Sequence, residues 1–388
     1  MMKNAKLVFF GDIRLADDNI YVKNDLFSPE LKERVSSADV VCCNYEAPII
    51  RVDGRYSGIP KRGPRLGQGV EGFEKLWRAG IDTFCLCNNH IMDYGDNAVI
   101  ETIKQLEYHN CKYFGLEKNG EAINVLYDKV NERKIAFIAV AENGFGCKAT
   151  NPNIVKFGYS WMLSESLESK IKEANEKTDF VVLMCHAGAE GYCLPLPELR
   201  ELYRKYIDYG ADIVIAHHPH VIQGSEVYRG KNIFYSLGNS AFDSIADSKV
   251  PFNENGILLE LEIEGRHLGN ARVVGTVYKD GTISESEDSM AMYKEACELL
   301  ENEEKYLCNI NQYCLFCYET MYKQYYYNTC GINYRSFLGR LKGAVKLVLG
   351  KGKLTYFDDL FFFHNTVIET HYWICSRAIR LKYFDYFH

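Results

Sequence analysis

Short apolar runs alternate with longer amphipathic segments over about the first 285 residues of the chain. Each run is short enough to form a strand that is buried on both faces, and the longer segments have helical spacing. The runs include LVFF (7–10), VVCC (40–43), FVVLMC (180–185) and ADIVIA (211–216), and the helical segments are 67–79, 94–109, 160–177 and 196–209. This rhythm predicts an α/β domain.

Three further strands are predicted later in the chain, at 232–237, 256–264 and 271–280. A short loop joins the last two, as in a hairpin, so antiparallel strands are expected to close the sheet. The stretch TISESEDS (282–289) has few large apolar residues and is the best candidate linker. We therefore expect a catalytic domain over 1–285 and a second region over 286–388.

The second region is expected to be mainly helical and rich in aromatic residues, because its apolar positions have helical spacing from residue 290 onward. Residues 331–357 contain six basic residues and no acidic one. A basic amphipathic helix can lie on an anionic membrane or dock into a groove of a partner. A helix that packs on its own domain with a solvated basic face is the favoured alternative.

Composition and charge narrow the class of protein. The net charge of -7 argues against a general nucleic-acid binder, because affinity for phosphates depends on an excess of Lys and Arg. The first apolar run is too short for the core of a signal peptide, and no stretch reaches the roughly 18 apolar residues of a membrane-spanning helix. We expect a cytoplasmic protein with reduced, largely buried cysteines, including those of CLFC (314–317).

Polar clusters follow five of the apolar runs, and they share one chemistry. Carboxylate, carboxamide and imidazole groups are ligands that zinc, manganese and iron accept, and an open coordination position leaves room for a water nucleophile. The clusters are Gly11 and Asp12; Asn44 and Glu46; Asn88, Asn89 and His90; His186; and His217, His218 and His220. Together they predict a dispersed metal site that is used for hydrolysis.

Two of these clusters are the most specific. In AHHPHVIQG (216–224), His218 and His220 flank a proline at a spacing that can aim both rings at one ion pair, and His217 is expected to be their hydrogen-bond partner. In CNNHIMDYG (87–95), Asn89 can bind an ion while His90 donates a proton to the leaving group. Helix capping would explain the asparagines without explaining their junction with the histidine.

Other polar residues are assigned supporting roles. Glu46 is expected to bridge two ions with Asn44 orienting it, because a buried glutamate needs a metal or a cation such as Arg14 nearby. Glu190 either orients the histidine four residues before it or contacts substrate. Asn239 is expected to lie in a turn that lines the cleft.

The loop IPKRGPRLGQG (59–69) carries Lys61, Arg62 and Arg65 on a backbone that is restrained by Gly and Pro. These cations could hold an anionic substrate. A solvated surface loop explains the same pattern equally well, so both interpretations stay open.

Six motifs in order resemble those of the CapA family of capsule synthesis, the polyglutamate branch of the calcineurin-like metallophosphoesterase superfamily. The motifs are FFGD, NYEAPI, NNHIMDYG, HAGAE, AHHPHVIQG and YSLGNSAFD. The resemblance covers about residues 6–280. It implies a four-layer αββα sandwich of two mixed sheets with a cleft at the strand ends, followed here by a C-terminal helical appendage.

The resemblance also implies roles for particular residues. His90 corresponds to the general acid, and one or two divalent ions (Mn, Fe or Zn) are expected. The superfamily usually has a histidine two residues after the first aspartate, whereas this chain has Arg14, which is expected to meet a substrate carboxylate or phosphate. The implied metal ligands are Asp12, Glu46, Asn89, His186, His218 and His220.

Three functions follow from these patterns. The first is metal-dependent hydrolysis of a phosphoester or related anionic bond in capsule, exopolysaccharide or polyglutamate biosynthesis. The second is hydrolysis of a γ-glutamyl amide, and the third is a non-catalytic assembly or export component that binds an anionic polymer. The expected partners are an anionic polymer or phosphorylated substrate and polysaccharide-assembly proteins, without nucleic acid, and with peripheral contact to the inner membrane through residues 331–357.

Overall fold

The computed structural model describes residues 4–16, 25–51, 54, 56–118, 124–148, 156–243, 254–329 and 356–384, together with 338, 341, 342, 345, 348 and 349. Two compact units can be distinguished. The first unit comprises Met1–Ile59, Arg65–Glu142 and Gly146–Glu301, and the second comprises Pro60–Pro64, Asn143–Phe145 and Asn302–His388.

The described strands all belong to the first unit. They are β1 (Ala5–Arg14), β2 (Val40–Tyr45), β3 (Thr83–Cys85), β4 (Lys112–Phe114), β5 (Leu116–Lys118), β6 (Leu126–Val130), β7 (Arg133–Ala141), β8 (Phe157–Tyr159), β9 (Phe180–His186), β10 (Ile213–His217), β11 (Ser225–Tyr228), β12 (Lys231–Phe234), β13 (Asn239–Phe242), β14 (Asn255–Glu264), β15 (His267–Lys279) and β16 (Thr282–Glu285).

The described helices are divided between the two units. The first unit contains α1 (Pro29–Ser36), α2 (Val70–Arg78), α3 (Gly95–Tyr108), α4 (Leu167–Lys177), α5 (Pro197–Tyr209) and α6 (Glu287–Glu301). The second unit contains α7 (Glu303–Cys317), a π-helical turn (Tyr318–Tyr322), α8 (Lys323–Thr329), α9 (Tyr356–Val367) and α10 (Glu369–Tyr383).

Both large sheets of the first unit are mixed. The first sheet has the order β16-β15-β14-β1-β2-β3-β4, and β13 also pairs with β1. Its strands β1 to β4 and β13 are parallel, whereas β14 to β16 are antiparallel and include the expected hairpin. The second sheet has the order β11-β12-β10-β9-β7-β6, in which the four central strands are parallel.

The two sheets pack face to face through apolar side chains. Between the sheets, the rings of Phe9 and Phe137 lie 6.4 Å apart, and Cys42 Sγ lies 3.8 Å from Met184 Sδ. Helices cover the outer faces, as Phe73 of α2 shows by packing 5.6 Å from Phe84 of β3. Burial of these apolar runs on both faces of each sheet is what holds the sandwich together. The αββα architecture is therefore confirmed.

The stretch expected to be a linker is part of the first unit. Residues 282–285 form β16, an edge strand in which Ile283 is fully buried, and α6 begins two residues later. The described chain therefore divides after Glu301 and not near residue 285. A polar edge strand resembles a linker in sequence because only one of its residues needs to reach the core.

The second unit is helical in its described part, as expected. Asn302 caps α7 by accepting a hydrogen bond from Lys305 N at 3.0 Å. Both CLFC thiols, Cys314 and Cys317, are buried on this helix, and burial raises the pKa of Cys317. The predicted basic helix over 331–357 lies largely outside the described residues. Among the residues described, no helix combines the length and apolarity that a membrane span requires.

Candidate metal centre

The sequence-predicted ligands meet because parallel strands end at one edge of each sheet. In the first sheet, Asp12 of β1 is the register partner of both Asn44 of β2 and Asn239 of β13. In the second sheet, His186 ends β9 directly beside His217, which ends β10. The carboxyl ends of these strands are where ligand sites form in open α/β sheets. Each sheet thus delivers one half of a polar cluster.

A glycine lets the first aspartate reach this position. A Cβ atom at Gly11 would lie only 2.0 Å from the carbonyl oxygen of Gly238, so no other residue fits without a shift of the backbone. The backbone N–H of Gly11 donates to Ser240 Oγ at 2.7 Å, and that of Asp12 donates to Gly238 O at 3.0 Å. The register of β1 also shifts on both sides of Asp12, as in a β-bulge.

Asp12 is completely buried and is held as a carboxylate. Its Oδ1 accepts a hydrogen bond from Asn44 Nδ2 at 2.7 Å, and its Oδ2 accepts one from the backbone N–H of His218 at 3.1 Å. Burial alone would raise the pKa of Asp12, but the imidazoles of His217, His220 and His186 outweigh burial and hold this pKa well below its usual value.

Glu46 is the second fully buried carboxylate, and imidazoles surround it. Its Oε1 lies 3.6 Å from His186 Nε2 and 3.5 Å from His220 Nε2. Burying a charge is costly unless partners of opposite sign or a metal compensate for it. Glu46 therefore lies next to histidines from two separate segments, the end of β9 and the loop after β10.

Each of the three candidate histidine ligands has a polar partner on one ring nitrogen. Such a partner fixes the orientation of the ring and leaves the other nitrogen to face the cluster. The pairs are His186 Nδ1 with Asn44 Nδ2 at 3.1 Å, His218 Nε2 with Glu142 Oε1 at 3.2 Å, and His220 Nδ1 with Asn239 Oδ1 at 2.9 Å.

The nitrogens that face the cluster lie very close together. His186 Nε2 is 3.0 Å from both His218 Nδ1 and Asn89 Oδ1. Burial, followed by the neighbouring His218, lowers the pKa of His186 well below its usual value. Burial would also lower the pKa of His218, but its contact with Glu142 outweighs burial and raises that pKa. Two ring nitrogens at this distance need a shared proton or a shared cation between them.

The loop between the last two histidines has a strained backbone. His218 has φ +96° and His220 has φ +58°, on either side of Pro219. Residues other than glycine rarely adopt this left-handed region, and they persist there only where the surrounding structure enforces it. Here Asp12 holds the backbone of His218, while Asn239 holds the ring of His220. Such strain is typical of functional sites.

The donor set fits a divalent ion of the zinc, manganese or iron type. Two triplets, Glu46 with His218 and His220, and Asp12 with Glu46 and His186, each have ligand atoms within 4.8 Å of one another. Glu46 belongs to both triplets. Carboxylate and imidazole donors in this mixture suit borderline metals. The buried amide oxygen Asn44 Oδ1 also has no hydrogen-bond partner among the described residues.

His90 lies beside Asn89 and is oriented by an acid that the sequence interpretation did not single out. His90 Nδ1 is 2.6 Å from Asp93 Oδ2, and this oxygen also accepts a hydrogen bond from the backbone N–H of Leu66 at 2.8 Å. Asp93 is completely buried. Engagement of Nδ1 leaves Nε2 as the atom that can exchange a proton with a substrate.

Several supporting residues make contacts that the sequence did not specify. Asn44 contacts Asp12 and His186, and no described hydrogen bond joins it to Glu46. Arg14 donates from Nε to Gly67 O at 3.3 Å and from Nη1 to Asp243 O, so its guanidinium fastens backbone segments. These contacts arise because register and packing across the two sheets, which local sequence does not encode, decide which atoms meet.

Two further polar residues lie at the strand ends themselves. Asn239 is the first residue of β13 and not part of a turn, and its amide oxygen contacts the ring of His220. His217 ends β10 with its Nδ1 3.4 Å from Asp12 Oδ1, so it contacts the aspartate. Both residues therefore support the cluster from within the sheets.

The predicted substrate-binding cations and Glu190 are placed as follows. Arg65 donates from Nε and Nη2 to Ile59 O, at 3.2 and 2.8 Å. Lys61 and Arg62 belong to the second compact unit, in which the Arg62 guanidinium lies 4.8 Å from the centre of the Phe361 ring. Glu190 is exposed, and its Oε1 lies 3.9 Å from Nε2 of His218, a different histidine from the one four residues before it.

Glu142 is a second acid, after Asp93, that the sequence interpretation did not single out. It follows the apolar run IAFIAVA at the end of β7, so it has the same signal, an acid after a buried strand, that identified Asp12. Its partner, His218, is contributed by a different strand end much later in the chain, and that pairing is visible only in the folded chain.

The fold and this cluster define a class of α/β sandwich with a polar centre at the strand ends of two sheets. A comparison with known families identifies the family. The family described as bacterial capsule synthesis protein PGA_cap matches residues 6–244. Since the match spans more than half of the chain, the chain belongs to this family. The family resemblance inferred from the motifs is thereby confirmed.

Two individual proteins with capsule or PGA biosynthesis descriptions are also similar to this chain. The chain is 32% identical over 221 residues to "Capsule biosynthesis protein CapA" of Bacillus anthracis, which covers 56% of this chain and 52% of that protein. It is also 32% identical over 212 residues to "PGA biosynthesis protein CapA" of Bacillus subtilis (strain 168), covering 53% and 54%. The chain thus spans about half the length of these curated relatives.

The solved structures whose chains are similar to this one include the following two. One is a hypothetical protein from Thermus thermophilus, with TM-score 0.45 and 17% identity, covering 71% of this chain and 100% of that chain. The other is the calcineurin-like phosphoesterase YfkN from Bacillus subtilis, with TM-score 0.41 and 12% identity, covering 76% and 96%.

Proposed function

We propose that this protein is a divalent-metal-dependent hydrolase that cleaves an anionic ester, such as a phosphoester, during the synthesis of a capsule or a related cell-surface polymer. The observation that carries the proposal is the membership of Glu46 in two triplets of ligand atoms at the ends of both sheets. Family membership supports the biological setting, because the matching family is described as one of capsule synthesis.

The ligands proposed for one or two ions are the six residues that the motifs identified. Oxygen donors come from Asp12, Glu46 and Asn89, and nitrogen donors come from His186, His218 and His220. A divalent ion at this centre would supply Lewis acidity, which polarises the scissile bond and makes water a better nucleophile near neutral pH.

The protein's own residues have three tasks in this proposal. The buried walls of the cluster exclude bulk water and keep its dielectric constant low. The amides of Asn44 and Asn239 hold ligand rings in place. His90, oriented by Asp93, would give a proton from Nε2 to the leaving oxygen. The roles of Arg14 and Arg65 in holding substrate charge stay predictions.

A side-by-side assay tests this function. Purified full-length chain would be loaded in turn with Mn²⁺, Fe²⁺ and Zn²⁺, its metal content measured, and its turnover measured on aryl phosphates and on γ-glutamyl peptides. Bound metal with hydrolysis of the phosphates supports the proposal. Hydrolysis of the peptides alone would reassign the substrate to an amide.

The second candidate is a non-catalytic assembly or export component that binds an anionic polymer. The observation that favours it is Arg14, which stands where the resembled superfamily usually has a ligand histidine and which is engaged with backbone carbonyls. Stoichiometric metal without turnover on either substrate, together with binding of polyglutamate, would favour this role. A chain that binds no metal would overturn the hydrolase proposal.

We also propose that residues 331–357 attach the protein to the cytoplasmic face of an anionic membrane. The six basic residues of this segment, and the exposure of Leu338, Leu341, Val345 and Val348, support the idea. Sedimentation of the full chain with vesicles of anionic lipid, but not with neutral vesicles, is the expected result. A Lys342→Glu, Lys346→Glu variant that sediments equally well would contradict it.

A further inference from the structure

Glu142 stands out among the residues around the cluster because no motif or comparison assigns it a role. It directly follows β7, whose last residue, Ala141, is the register partner of His186. The backbone N–H of Glu142 donates to His186 O at 3.0 Å. Two adjacent strand ends of one sheet therefore fix the position of this carboxylate.

The side chain of Glu142 is turned inward, since the residue is only 3% exposed. Its Oε1 lies 3.2 Å from Nε2 of His218, whose own side chain is 8% exposed. A carboxylate that is buried to this degree requires a hydrogen-bonded or charged partner. The second nearby acid, Glu190, lies farther from the same nitrogen, at 3.9 Å, and is 56% exposed.

The contact decides which nitrogen of His218 faces the cluster. With Nε2 directed at Glu142, Nδ1 is the atom directed at His186 Nε2, 3.0 Å away. The backbone N–H of His218 is committed to Asp12. Glu142 thus holds the ring of His218 at Nε2, the nitrogen remote from the cluster. Asp12 holds the strained backbone of the same residue at its N–H.

The chemistry of this partner differs from that of the other two. His186 and His220 have carboxamide partners, Asn44 and Asn239, which orient a ring but carry no charge. A carboxylate that accepts the ring N–H also increases the basicity of the opposite nitrogen, and loss of such a partner typically weakens metal binding by about 10–100-fold.

We propose that Glu142 is a positioning residue that strengthens metal binding by His218, so that an ion bound by His218 is held more tightly than it would be with an amide partner. This inference rests on the proposed metal centre. The residue need not touch substrate, because it acts through the imidazole.

Titration of the full-length chain with Mn²⁺ by calorimetry tests the inference. We expect Glu142→Ala to weaken binding by about 10–100-fold. Glu142→Gln, which keeps the volume and an accepting oxygen but not the charge, should weaken binding less. The absorption spectrum of the Co²⁺-loaded Ala variant should also change, because the orientation and basicity of a ligand ring are altered. A matched control is Glu201→Gln, an exposed acid on α5, which should bind as the wild type does.

Wild-type affinity and an unchanged Co²⁺ spectrum in both Glu142 variants would overturn the inference while leaving the proposed function intact. If the Ala variant does not fold, the Gln variant alone decides. A folded Gln variant that binds Mn²⁺ with wild-type affinity contradicts a role for the charge of Glu142. A wild-type chain that binds no Mn²⁺, Zn²⁺ or Co²⁺ would overturn the metal centre and this inference together.

Discussion

The two sheets of the first unit contribute different chemistry to the same cluster. The strand ends of the first sheet and the loops after them carry the oxygen-bearing side chains of Asp12, Glu46 and Asn89, whereas those of the second carry the imidazoles of His186, His218 and His220. Neither set is a complete ligand sphere by itself. The buried carboxylates of the first sheet lie within 3.4 to 3.6 Å of imidazole nitrogens from the second. The difference teaches that the proposed metal centre would form only when the two sheets pack against each other.

The largest effect is expected from the residue that joins the two sets. Because Glu46 belongs to both triplets, Glu46→Gln should remove metal and reduce turnover by about 1000-fold or more, as a Lewis acid contributes several kcal/mol. Metal analysis and turnover of the purified variant check this. Full metal content in the variant would contradict the need for residues from both sheets, since the second sheet would then bind the ion without this carboxylate.

His90 sharpens the comparison because it is an imidazole on the oxygen-donor sheet. We expect His90→Ala to keep its metal but to lose about 100-fold or more in turnover, since a general acid contributes rate and not metal affinity. Asp93→Asn should have a smaller effect in the same direction, because it perturbs only the orientation of the ring. Loss of metal from the His90 variant would show that the ring is a ligand.

Removal of the metal should loosen the sandwich, because the ligands come from both sheets. At free metal 100 times above its dissociation constant, the loaded chain should be about 2.7 kcal/mol more stable than the chelated chain. Equilibrium denaturation in urea, with and without chelator, measures this difference. The Glu46→Gln variant is the control, because chelator should leave its unfolding midpoint unchanged.

The smallest effect concerns an acid on the second sheet that lies away from the cluster. Glu226 of β11 accepts hydrogen bonds from Arg200, Arg204 and Tyr235. Burial alone would raise the pKa of Glu226, but these partners outweigh it and lower the pKa below 4.5. Since the folded-state pKa is depressed, the resulting stability is present above pH 4.5 and is lost as the pH falls through the folded pKa.

Acid unfolding of Glu226→Gln measures that contribution. The variant should be less stable than the wild type at neutral pH, and the difference between the two should shrink as the pH falls below 4.5. A constant difference at every pH would mean that the loss comes from packing and not from the charge. This acid thus contrasts with Asp12 and Glu46, since arginines of its own unit neutralise it.

Much of the architecture follows from local sequence. Buried strands are recognisable in the sequence as apolar runs. Polar residues at their carboxyl ends converge because parallel strands end at the same edge of a sheet. Residues 282–289 did not follow this logic, because a short edge strand with a single buried residue, Ile283, has the composition of a linker. The boundary therefore lies later than the polar stretch indicated.

The supporting contacts of the cluster were less predictable. The pairing of Asn44 with Asp12 depends on the register of β1 and β2, and its approach to His186 depends on packing across the two sheets. Glu142 had a usable sequence signal, but its pairing with His218 joins distant segments. Local pattern identifies which residue types reach the edge, whereas tertiary packing decides which atoms touch.

The left-handed backbone at His218 and His220 has a consequence for mutagenesis. An alanine at either position removes an imidazole and also leaves a residue that tolerates this backbone conformation poorly. A change in the loop backbone would then be mistaken for the effect of losing the ring. Asparagine visits the same backbone region far more readily. Replacement by asparagine would therefore separate the contribution of the side chain from that of the turn that presents it.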